Sequence, residues 1–210
     1  MKTSTEHYFK HALILAGITI GYNVIEGVLS TFFGFADETI ALFGFGIDSF
    51  VEVISGVGIF HMIMRIKAHG VLNRDLFEKR ALKVTAVAFF ILAAFLAISS
   101  VYKLFIGAVP ESTLWGIIIS SISLLTMGFL IYFKMKVGKI LDSEAILADA
   151  RCTATCLYLS AILLLSSGLF YFFQISWTDS VGALGLAIFS FKEGKEAWEK
   201  SNSRYLFTQI

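Results

Sequence analysis

Two side-chain pairs with the same spacing stand inside apolar sequence: Asp48 with Glu52, and Cys152 with Cys156. Each pair is i, i+4, so a helix projects both members from one face. Carboxylates and thiols are costly in hydrocarbon, which makes them functional-site candidates wherever the chain crosses a membrane. Two carboxylates and two thiolates can surround one metal ion tetrahedrally. Thiolate sulfur selects zinc and related ions, whereas magnesium and calcium prefer an all-oxygen shell. Such ligands lose protons when they bind metal, and protonation ejects the ion. That linkage is what exchange of a metal for protons requires. The alternative for each cysteine is a small, inert core residue.

The surrounding chain has the composition to bury such groups in a bilayer. Of its 210 residues, 57% are hydrophobic, and the mean hydropathy is +0.78. Pro110 is the one proline, so apolar runs are rarely interrupted. Six stretches reach the roughly 20 residues a membrane-spanning helix needs. They cover about 9–33, 39–64, 81–106, 113–135, 144–173 and 177–198. The expected fold is therefore an all-α membrane protein, a six-helix transmembrane bundle. Residues 1–210 form a single transmembrane domain in this reading, without a soluble domain. The apolar run 9–36 is too long for the h-region of a signal peptide. A net charge of +1 offers no electrostatic footprint for nucleic acid. Cys152 and Cys156, one helical turn apart, are badly directed for a disulfide, which leaves free thiols.

Lysine and arginine placement sets the orientation. Basic residues gather in the N-terminal tail, between spans two and three, between spans four and five, and after span six. The other three connections lack them, with Lys103 close by as an exception. Both termini are thus expected in the cytoplasm, in a multi-pass protein of the cell (plasma or inner) membrane. Asp142 or Ser143 is placed to cap the fifth helix. Span two then runs outside to inside and span five inside to outside. All four candidate ligands fall near mid-membrane, with Asp48 level with Cys156 and Glu52 level with Cys152.

Further polar residues share these spans. Asp149 lies one turn before Cys152, as a substitute ligand, a proton relay, a supporting partner, or an acid favoured by the helix dipole. Asn23 and Glu26 lie inside span one, lining an aqueous path or bonding to another helix. Asp179 opens span six, acting in ion exit or as a cap. The pairs Gly44-x-Gly46 and Gly182-x-x-Gly185 suggest close helix contacts.

The motif order resembles the cation diffusion facilitator family of metal/proton antiporters. Span two, Thr39 to Glu52, is similar to the family's serine-x-alanine-leucine run ending in an Asp/His-x-x-x-Asp pair. Span five has Asp149 between alanines ahead of Cys152 and Cys156, like the family's alanine-aspartate-alanine stretch before His-x-x-x-Asp. Trp177-Thr178-Asp179 is similar to the family's tryptophan-x-aspartate start, and Asn23 and Glu26-Gly27 also resemble it. The resemblance implies that Asp48, Glu52, Cys152 and Cys156 occupy the four transport positions. Glu replaces Asp at 52, Cys replaces His at 152, and Cys replaces Asp at 156. Zinc is then the leading cargo, with cadmium and copper as alternatives, and no resident cofactor is implied. The likeness is to a short form lacking the C-terminal cytoplasmic domain, so a homodimer would form through transmembrane helices. Ala81, Ala86, Ala88, Ala93, Ala94, Ala97, Ser99 and Ser100 of span three suit that packing or packing within one protomer. The expected function is metal export from the cytosol by alternating access, not enzymatic catalysis. The alternative is a non-transporting membrane interaction subunit with a structural metal site.

Overall fold

A computed structural model describes residues 2–69, 74–141 and 144–202. The side chain of Cys152, the Asp142/Ser143 cap and the charges beyond residue 202 lie outside the described residues. Among the described residues there are six helices and no strand. They are α1 (Lys2–Ala36), α2 (Ile40–His69), α3 (Arg74–Ile106), α4 (Leu114–Ile140), α5 (Glu144–Phe173) and α6 (Thr178–Asn202). The fold is an all-α membrane bundle.

Five helices contain stretches long and apolar enough to cross a membrane: Lys10–Ala36, Ile40–Gly58, Ala86–Ile106, Leu114–Ile140 and Asp149–Phe173. In α6 the apolar run stops at Phe191, where Lys192, Glu193, Lys195 and Glu196 follow. The helix is nonetheless part of the bundle, packed chiefly along α3.

The turns have ordinary physical causes. Glu38 adopts φ 54° after α1, and Thr39 N–H donates to Gly34 O at 2.8 Å, closing the helix end with a left-handed residue. Gly107 does the same after α3, at φ 66°, with Pro110 beyond it. Lys103, the basic exception near this end, donates its ammonium to Glu38 O.

Packing is inside-out relative to a water-soluble protein. Phe105 is 87% exposed, and Ile25, Ile91, Ile98 and Leu125 also face outward. Asn23, Ser30, Ser100, Ser120, Ser123 and Ser160 are fully buried. Apolar side chains are satisfied by lipid tails, whereas polar ones are satisfied only by one another.

An apolar cluster of Ala41, Leu42, Phe45, Leu92, Leu96, Leu159, Leu163 and Leu186 ties α2, α3, α5 and α6 together near one end. Gly46 lets α1 and α2 approach closely: a Cβ there would sit 2.6 Å from Thr31 N. Of the small residues on α3, Ala86, Ala93 and Ser100 recur every seven positions and are buried within the protomer. Ala94 stays on the outer surface with Ile91, Phe95 and Ile98.

Candidate functional site

Helices α2 and α5 touch deep in the bundle. Being antiparallel, they set Asp48 opposite Cys156. The Cys156 thiol donates to Asp48 Oδ2 at 3.5 Å, and both residues are buried. Cys156 also packs on Met127 and Leu130 of α4. One turn along α2, Glu52 turns toward α1 and accepts a hydrogen bond from Asn23 Nδ2 to Oε2 at 2.7 Å. Its carboxylate is also within hydrogen-bonding reach of the Cys156 thiol and stands in the electrostatic field of Asp48, Lys134 and Glu26. Among the described residues, no three His, Cys, Asp or Glu side chains gather closely enough to hold a metal ion. Asp48 and Cys156 are brought together, Glu52 stands beside Cys156 while also bonded to Asn23, and the Cys152 side chain lies outside the described residues.

Two buried oxygens at this place have no hydrogen-bond donor among the described residues: Asp48 Oδ1 and Asn23 Oδ1. A carboxylate oxygen and an amide oxygen without donors are suitable ligands for a cation. Among the described residues the buried acids are Glu26, Asp48, Glu52, Asp149 and Asp179, and the buried cation is Lys134. This excess of buried carboxyl groups is chemically fitted to hold a positive ion or protons.

The remaining candidates support the pair from different helices. Glu26 accepts from Tyr22 at 2.9 Å and from Ser49 at 3.1 Å, and lies against Ser123 of α4. Ser123 in turn accepts from Ser160 of α5 at 2.8 Å. A polar chain thus crosses α1, α2, α4 and α5 beside Asp48 and Cys156. Asp179 does not cap its own helix. It accepts from Ile40 N–H at 3.0 Å and Ala41 N–H at 3.3 Å, and so caps α2 from α6.

Asp149 makes an ion pair with Lys134 Nζ at 2.8 Å. The same ammonium donates to Thr153 Oγ1 at 2.9 Å. From charge counting, Lys134 reads as one of the basic residues after span four; it is instead 1% exposed inside the bundle. The signal that identifies it is hairpin symmetry. Lys134 and Asp149 are almost equidistant along the sequence from the point where α4 gives way to α5, so antiparallel helices place them side by side. Tyr22, Ser49, Ser123 and Thr153 carry no comparable sequence signal, because hydroxyls are common in transmembrane helices.

Residues 81–203 match the cation efflux transmembrane domain. That stretch is more than half of the chain and contains α5 with Cys152 and Cys156. The chain belongs to the cation efflux family. No curated protein matches the sequence closely enough to count as a relative. Membership makes this multi-pass membrane protein a transporter of metal cations. The matched region begins after α2, so Asp48, Glu52 and all of α1 precede it.

Proposed function

We propose that this protein exports zinc-type transition-metal ions from the cytosol, exchanging them for protons by alternating access. Asp48, Glu52, Cys152 and Cys156 are the ligands. The observation that carries the reading is the contact of Asp48 with Cys156 between α2 and α5, within a bundle where, among the described residues, buried acids outnumber buried cations. A cytosolic ion enters between these helices and displaces the thiol proton. Glu52 exchanges its Asn23 hydrogen bond for the ion and completes the shell. The two helices then rock, the site opens to the other side, and incoming protons release the ion. Sulfur in the ligand set favours zinc and cadmium over manganese, with copper as a softer alternative.

Purified protein in vesicles loaded with a metal-sensitive dye tests this. Zinc and cadmium are expected to move when a pH gradient is imposed. The variant Cys152→Ala/Cys156→Ala is expected to lose at least about tenfold in rate. Native protein that moves neither metal would refute the exchange mechanism, and undiminished transport by the double variant would refute the ligand set. X-ray absorption on the metal-loaded protein distinguishes sulfur from oxygen neighbours by bond length.

A further inference from the structure

The Lys134–Asp149 pair is the buried charge cluster that the transport chemistry leaves unused. Its place is informative. Asp149 and Cys156 are seven residues apart, which puts them on almost the same face of α5, two turns and about 10 Å from each other. Lys134 reaches that face from α4, bonding Asp149 Oδ2 and Thr153 Oγ1. Thr153 Oγ1 in turn donates to Asp149 O at 3.1 Å, which fixes the hydroxyl beneath the ammonium. The ammonium therefore lies between the Asp48–Cys156 contact and the basic end of the bundle, where α4 and α5 connect. It also acts electrostatically on Glu52, across the helix boundary. Lysine is a compact point charge on a flexible stem, able to turn from one carboxylate to another without leaving its helix.

We infer that Lys134 is a tethered counter-cation of the transport site, a positioning residue parked on Asp149, whose charge opposes a bound divalent ion and so limits how tightly that ion is held. This rests on the transport reading above. Without metal, the ammonium offsets part of the negative charge of Glu52 and Asp149. With metal at Asp48, Glu52, Cys152 and Cys156, the ammonium and the ion repel one another, and Asp149 keeps the ammonium at a distance that permits binding. An exporter needs this balance, because an ion bound too tightly is not released. Asp149 is accordingly neither ligand nor relay here; it restrains Lys134.

The two partners have opposite predicted effects, which a purely structural ion pair would not produce. Zinc and cadmium affinities of the purified full-length protein, measured by titration calorimetry, are expected to rise about tenfold in Lys134→Met, where the opposing charge is removed. Asp149→Asn frees the ammonium to approach Glu52, and affinity is expected to fall by about the same factor. Lys134→Arg keeps the charge and is expected to stay within about threefold of native. In vesicles, Lys134→Met is expected to lower KM and kcat together, since the ion enters readily and leaves slowly.

Because either single variant leaves an unpaired buried charge, Lys134→Met/Asp149→Asn is the folding control; it is expected to retain a gain of at least about threefold over native. A double variant with native affinity overturns the proposal, as do single variants that lose thermal stability without changing metal affinity. Native protein that binds neither metal overturns the transport reading itself, and this inference with it.

Discussion

Glu52 has neighbours on two other helices, Asn23 of α1 and Cys156 of α5. The Asn23 amide donates to it at 2.7 Å from α1, while Asp48, one turn away on its own helix, faces Cys156. A buried carboxylate without a donor loses far more than the modest net worth of one hydrogen bond. Asn23→Leu should therefore destabilise the metal-free protein by about 1–3 kcal/mol. It should also enlarge the stabilisation that zinc confers, since the freed carboxylate gains more from the ion. Thermal melting of the purified protein with and without zinc measures both; equal melting curves for variant and native protein would remove Asn23 from the site. Asp48 and Cys156 were legible as neighbours because depth along two antiparallel spans is a matter of counting residues. The Asn23–Glu52 bond was not, since it depends on how α1 is rotated about its axis against α2.

At the scale of elements, α2 is held at two points ahead of its site-bearing stretch. Asp179 caps its first turn from α6, and Gly46 lets it lie against α1. Both devices fix where Asp48 stands. Removing the cap by Asp179→Ala should cost about 1 kcal/mol, whereas Asp179→Asn keeps an acceptor and should cost less. A thermal melt ranks the three proteins, and an Ala variant as stable as native would contradict the capping role. The sequence places Asp179 at a helix start, which suggests a cap for α6. Its real client is α2, because the ends of α2 and α6 meet in the bundle and the first amide groups of α2 lack partners of their own. Lys134 shows the same limit. Its position at the end of an apolar run looks like a loop charge, yet α4 continues to Ile140 and draws it inside.

Across the whole molecule, the distribution of polarity is that of a protein solvated by lipid: aromatic and aliphatic side chains outside, hydroxyls, acids and one ammonium within the described interior. The basic connections should face the cytoplasm, and with them both termini. A fluorescent reporter that matures only in the cytoplasm should light when fused to the C-terminus, while an export-dependent phosphatase there should stay inactive; the opposite result would invert the export direction proposed above. Hydropathy and charge order were sufficient to read an all-α membrane bundle, because long apolar runs have few alternatives in lipid. The i, i+4 pairs were likewise visible as chemistry, because helical periodicity is local. Which buried group answers which was settled only by packing: Asn23 with Glu52, Asp179 with α2, Lys134 with Asp149. Each of these pairings joins two helices, and the rotation of one helix against another is set by side-chain fit along the whole interface, which no local spacing encodes.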